Sequence, residues 1–139
     1  MYIWCILTTF LTTSTLLRTY LQIPTHYVLV EANIRGGGEY GPQWHQSALK
    51  ANRNKCYEDF IAVGEHLVES KVCTPKTLAC RGGSNGGLLT GNMLVQAPDL
   101  FGAIHIAVPL LDMQRYHKLL AGASWMAEYG NVSVHALIY

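Results

Sequence analysis

Ser84 is the residue in this chain whose setting most directly suggests chemistry. It sits in Arg81-Gly82-Gly83-Ser84-Asn85-Gly86-Gly87, which contains Gly-x-Ser-x-Gly. A serine hydroxyl in that pattern attacks carbonyl carbon when it stands on a sharp turn between a strand and a helix. Side chains at Gly82 and Gly86 would collide with the neighbouring strand and helix, which is why that chemistry needs glycine there. The backbone N–H of Asn85, at the start of the following helix, points where an oxyanion would form. The helix dipole favours negative charge at that place. The flanks agree: Thr77-Leu78-Ala79-Cys80 is short, apolar and strand-like, and Leu88 to Gln96 is mostly apolar and long enough for a helix.

A serine nucleophile also needs a base and an acid to hold it, and in this chain order they follow the serine. Asp99 or Asp112 with His117 or His135 satisfies that order. His26, His45 and His66 precede the serine, and His105 falls in a segment that reads as a buried strand. None of these histidines carries a specific signal for the role of base.

The elements that must position Ser84 follow from periodicity. Tyr27 to Ile34 is rich in β-formers and nearly continuous in apolar residues, which predicts a strand covered on both faces. Tyr57, Phe60, Ile61, Gly64, Leu67 and Val68 recur at helical spacing with acids between them, which predicts an amphipathic helix from about Lys55 to Ser70. A helix is expected near 86–97 and an apolar strand at Ala103 to Val108. Strands alternating with helices predict an α/β fold, with 27–34, 77–81 and 103–108 as parallel neighbours in one sheet.

Other chemistries find little support. Gly36, Gly38 and Gly41 spell Gly-x-Gly-x-x-Gly, but Pro42 and the polar Gln43-Trp44-His45-Gln46 do not open the apolar helix a dinucleotide site requires. The sequence contains no Gly-Lys-Ser/Thr and no metal-ligand spacing among Cys5, Cys56, Cys73 and Cys80, so no cofactor and no metal are expected. A formal charge of +1 gives no basic stripe for nucleic acid. The cysteines read as reduced, which suits a cytoplasmic protein.

The 139 residues are half hydrophobic and 14% charged, a composition that suits a slice of a larger buried core. Met1 to Leu17 carries no charge, which raises a signal or anchor. The positive flank of a signal is missing, and Thr8, Thr9, Thr12, Thr13, Ser14 and Thr15 dilute the run, so a membrane role is not expected. The alternative is a helix to about Leu21, and Met1 to Gln22 is expected to pack loosely or lie apart from the core.

Taken together, Asn33-Ile34-Arg35-Gly36-Gly37-Gly38-Glu39-Tyr40-Gly41, Tyr57-Glu58-Asp59-Phe60, Gly82 to Gly87, Pro98-Asp99-Leu100-Phe101 and Trp125-Met126-Ala127-Glu128-Tyr129-Gly130 resemble the prolyl oligopeptidase family of serine peptidases. The resemblance covers about Tyr27 to Gly130. It implies a partial α/β-hydrolase fold, a mostly parallel sheet with flanking helices. The implied activity is cleavage of short proline-containing peptides after proline through an acyl-enzyme. By position, Ser84 matches the nucleophile and Asn85 the residue whose backbone N–H is half of the oxyanion hole. Trp125 matches the aromatic wall that stacks on the substrate proline ring, and Tyr129 a neighbour lining that pocket. A flat indole suits a pyrrolidine ring because it is rigid, apolar and has little rotamer entropy to lose.

The same resemblance marks departures. The family's β-propeller and its upstream tyrosine for the oxyanion hole have no counterpart in this sequence, and the family's catalytic aspartate and histidine lie further downstream of the serine. Residues 1–26 read as an atypical N-terminal segment, 27–130 as a partial peptidase domain and 131–139 as an unmatched tail. On this reading the chain is an incomplete and inactive piece of a peptidase. The alternatives are an esterase or acyl-peptide hydrolase on the same fold, or a non-catalytic remnant.

Overall fold

In the computed structural model, the described residues are Ile6–Thr9, for which the backbone alone is described, and 28–132. Four strands form one sheet: β1 (Ile6–Thr9), β2 (Val28–Glu31), β3 (Leu78–Gly83) and β4 (Ala103–Ala107), in the order β2-β1-β3-β4. The helices are α1 (Pro42–Gln46), α2 (Asn54–Glu69), α3 (Asn85–Gln96) and α4 (Met126–Tyr129).

The α/β class and the flanking helices agree with the sequence pattern, and α2 and α3 lie where periodicity puts them. The neighbour relations differ. β3 and β4 pair in parallel, Cys80 opposite Ile104, as expected. β2 does not touch β3, because β1 lies between them and pairs antiparallel with both: Leu7 faces Val30 on one side and Cys80 on the other. The expectation that the first residues lie apart from the core, or form a helix, is therefore corrected for Ile6–Thr9. Isoleucine and threonine are β-branched and favour a pleated strand, a signal that the lack of charge had obscured. The rest of that segment, the possible signal or anchor included, lies outside the described residues.

The strand expected at Tyr27 to Ile34 is also shorter and less covered than its composition suggests. Among the described residues of that stretch, Val28–Glu31 is strand, with Val28 and Val30 half-buried and Leu29 and Glu31 exposed. β2 lies at the edge of the described sheet, where one face meets solvent. The other edge is β4, on which His105 is exposed rather than held in the core.

The main core fills one face of the sheet. Leu78 and Cys80 of β3 meet Cys56, Tyr57 and Phe60 of α2 and Leu89 and Met93 of α3. These are the i, i+3, i+4 positions that make α2 amphipathic. Phe60 stacks on Phe101 with ring centroids 6.1 Å apart. Burial pushes the Cys56 thiol up to about 11 and the Cys80 thiol up to about 12, so both behave as small apolar groups. A second cluster of Leu88, Met113, Tyr116 and Tyr129, with Trp125 and Met126 packed on it, lies beside the N-terminal turns of α3. Leu88 thus links the serine helix to the 110–130 segment.

Candidate active site

Ser84 joins β3 to α3 with φ 56° and ψ −113°, a backbone region that costs a non-glycine residue about 1–3 kcal/mol. Two hydrogen bonds and two close approaches at glycines hold it there. Its N–H donates to the Ala107 carbonyl at the end of β4 (3.0 Å), and its carbonyl accepts from the Leu88 N–H as the first bond of α3 (3.2 Å). At Gly82, a Cβ would fall 2.0 Å from the Gly86 carbonyl oxygen, so the turn closes only without a side chain. A Cβ on Gly87 would sit 2.8 Å from the Ala107 carbonyl oxygen, which lets α3 start against the end of β4. Ser84 itself is exposed.

Asn85 is the first residue of α3 and is 5% exposed. Its backbone N–H has no acceptor among the described residues, as a donor awaiting an oxyanion requires. Its side chain, by contrast, is fully engaged. The Asn85 Oδ1 accepts from Arg53 Nη2 (2.5 Å) and from the Tyr129 hydroxyl (2.5 Å), and Asn85 Nδ2 donates to Glu128 Oε1 (2.7 Å). Arg53 Nη1 completes the ring by donating to the same Glu128 oxygen at 2.7 Å. Arg53 is 0% exposed and Glu128 9%. The guanidinium lies 5.0 Å from the Tyr129 ring centroid. Burial opposes its charge, but its surroundings outweigh that, with the Glu128 carboxylate 2.7 Å away, so it is held as a cation. Burial likewise pushes the Tyr129 phenol up, against the pull of Arg53, so the hydroxyl stays protonated and can donate.

Arg53 and Glu128 are the residues that sequence reasoning missed. Nothing in local pattern marks Arg53, at the junction of a 3-10 turn (Lys50–Asn52) and α2. A weak signal was available at Glu128, an acid between two aromatics in Trp125-Met126-Ala127-Glu128-Tyr129.

The wall residues are brought to this cluster. The Trp125 ring stacks on Tyr129, centroids 5.9 Å apart and planes 23° apart. Tyr129 is 3% exposed and turns its hydroxyl inward to Asn85, so the half-buried Trp125 carries the accessible aromatic face. Trp125 borders a cavity of about 340 Å³ with His45, Leu49, Ser124, Ala127 and Glu128. It borders another of about 380 Å³ with Pro109, Leu110 and Tyr116 among its neighbours. Tyr116 anchors the far end of the segment by donating its hydroxyl to the Gly130 carbonyl.

The other candidates are not brought to Ser84. Asp112 pairs with Arg115 (2.5 Å), Asp99 is exposed beyond α3, and His117 packs edge-on to Tyr116 at 5.6 Å. His45 Nδ1 bonds the Gly36 carbonyl (2.7 Å), and Trp44 Nε1 donates to the Ile34 carbonyl (2.8 Å). Those contacts, with Arg35 donating to Asp59 at 2.8 and 2.5 Å, fold the glycine loop onto α2. After the glycines the chain forms the five-residue α1, none of whose residues is buried. His26 and His135 lie outside the described residues. Among the described residues, no group of three or more His, Cys, Asp or Glu is placed to hold a metal, and no helix is long and apolar enough to cross a membrane.

Comparison with known proteins places this geometry. The profile of the prolyl oligopeptidase family matches residues 14–136. An uncharacterized peptidase of Sinorhizobium fredii is 55% identical over 72% of this chain and 14% of its own length. The prolyl endopeptidase of Dictyostelium discoideum is 46% identical over 74% of this chain and 14% of its own. Among solved structures, a post-proline cleaving enzyme from Rickettsia typhi superposes with a TM-score of 0.78 at 43% identity, covering 85% of this chain and 17% of its own. The chain thus spans about 14% of the length of those two curated relatives. The described sheet and helices are accordingly part of an α/β-hydrolase catalytic domain, and the chain belongs to the prolyl oligopeptidase family.

Proposed function

We propose that this chain carries the nucleophile and the proline-recognition wall of a serine peptidase that cleaves short peptides after proline. Ser84 attacks the prolyl carbonyl, and the Asn85 backbone N–H stabilises the resulting oxyanion. Trp125 receives the proline ring on its open face while Tyr129 backs it. The observation that carries the reading is the Asn85 junction, where a backbone N–H with no acceptor among the described residues and the support of an aromatic pair meet in one residue. No cofactor enters this chemistry; the acid and the base are those the family pattern places further downstream. Free, buried Cys56, Cys73 and Cys80 suit a reducing compartment such as the cytoplasm.

The test is a chimera in which residues 27–130 replace the matching segment of the Dictyostelium prolyl endopeptidase. Hydrolysis of a chromogenic glycyl-prolyl substrate that disappears in Ser84→Ala supports the reading. A folded chimera that cleaves simple esters but not the prolyl substrate favours the esterase alternative. A folded chimera inert to both favours a non-catalytic remnant.

A further inference from the structure

We infer that Arg53 is a positioning residue that couples the oxyanion turn to the proline wall, so that the two behave as one unit; this deepens the reading above and rests on it for its substrate. The wall segment 125–130 and the Ser84 turn are far apart in sequence; Leu88 packs between them, and the hydrogen bonds that join them converge on one carboxamide. Asn85 Oδ1 takes the Tyr129 hydroxyl on the wall side, and Asn85 Nδ2 takes Glu128. Without Arg53, Asn85 Oδ1 would keep one donor of two, and Glu128 would remain a nearly buried carboxylate without a cation, so its hold on Nδ2 would loosen. Arg53 meets both needs. One arm of its fork holds Asn85 Oδ1 and the other the Glu128 oxygen, 2.5 and 2.7 Å away. Its flat face meanwhile lies on the Tyr129 ring. The planar fork fixes both partners at once, which a lysine ammonium, as a point charge on a flexible stem, does not.

Arg53 reaches no reacting atom. It acts through Asn85, whose side chain and oxyanion N–H share one α-carbon, and through Tyr129, on which Trp125 stacks. It also fixes the start of α2 by its own backbone, because Cys56 N–H donates to the Arg53 carbonyl at 3.1 Å.

The test compares the full chain with Arg53→Lys, which keeps the charge opposite Glu128, and with the paired change Arg53→Met with Glu128→Gln, which removes both charges. The first readout is amide hydrogen exchange at three bonds: Leu88 N–H to Ser84 O in the turn, Gly130 N–H to Met126 O in the wall, and Gly102 N–H to Leu78 O in the remote sheet. The second is binding of an N-blocked glycyl-proline amide, followed at the Trp125 indole N–H resonance.

The expected result is exchange at least tenfold faster at Leu88 and Gly130 in both variants, with Gly102 changed less than twofold. Ligand affinity should fall at least fivefold. Unchanged exchange at Leu88 and Gly130, faster exchange at only one of them, or an equal rise at Gly102 would each overturn the coupling. A wild-type chain that binds no proline ligand, yet shows the expected exchange pattern, would sink the substrate reading and leave the positioning role standing.

Discussion

The serine turn and the clamp beneath it do the same job by opposite means. The turn, Gly82 to Gly87, is local: contiguous residues form it, and the device is missing side chains that let backbone approach backbone. The clamp is non-local: Arg53 and Glu128 are 75 residues apart, and the device is a set of charged side chains buried where water cannot satisfy them. A turn of this kind fails when atoms are added, whereas a clamp fails when they are removed. The difference also separates what each contributes. The turn exposes a hydroxyl, and the clamp ties Asn85 to the stacked pair of Trp125 and Tyr129.

The sharpest way to break the comparison is to ask whether a well-formed turn suffices for catalysis. No hydrogen bond joins Ser84 to a histidine among the described residues, and a serine hydroxyl without a base is a weak nucleophile. The purified 139-residue chain should hydrolyse a chromogenic glycyl-prolyl substrate about a million-fold more slowly than a complete triad would. Turnover near one per second that vanishes in Ser84→Ala would overturn this, and His117 and His135 would then be the first bases to examine.

The next largest effect belongs to the clamp. Arg53→Met strands the Glu128 carboxylate in a site where its side chain is 11% exposed, which should cost about 3–5 kcal/mol in urea unfolding. A loss below about 1 kcal/mol would mean that Glu128 finds another partner or water, and the clamp would not be the rigid element described. For the turn, Gly82→Ala places a methyl 2.4 Å from the Gly86 carbonyl carbon, and neither backbone can give way easily. It should destabilise the chain by about 3 kcal/mol, at the upper end for overpacking. Thermal melting that matches wild type would show that the turn tolerates a side chain and is not sterically set.

The smallest effect tests a pair of the same chemistry nearer the surface. Burial raises the Asp59 carboxyl, but the Arg35 guanidinium and backbone N–H more than offset it and hold it below the usual carboxylate range. A depressed folded value means that the pair stabilises the protein above the unfolded pKa and loses this as pH falls through the lower folded one. Asp59→Asn should therefore cost about 0.5–1 kcal/mol at pH 7 and flatten the stability profile below about pH 4. A cost equal to that of Arg53→Met would erase the distinction between the clamp and a partly exposed pair.

These contrasts also explain what was legible in the sequence. The serine turn could be read because the pattern that marks it lies between Thr77 and Gln96, although Ala107 also holds it. Glycine spacing, β-former content and helical periodicity are all local quantities. The same holds for α2, where Tyr57, Phe60 and Gly64 of the face read from helical spacing are buried and Ile61, Leu67 and Val68 half-buried. Trp125 and Tyr129 were named by resemblance, and their pairing needed the fold. Which strand lies beside β3 was not legible, because pairing is decided by which edges meet in space, and Ile6–Thr9 carries only a short and ambiguous signal. Arg53 and Glu128 were invisible for a related reason. A buried charge looks like a surface charge in sequence until a partner with matching geometry removes it from water. That partner arrives only when α2, α3 and the wall segment pack together. The sequence by itself determined the elbow, its helices and the chemistry a serine there can do. The tertiary structure alone decided the strand order and the clamp, because both depend on contacts between residues that the chain brings together only on folding.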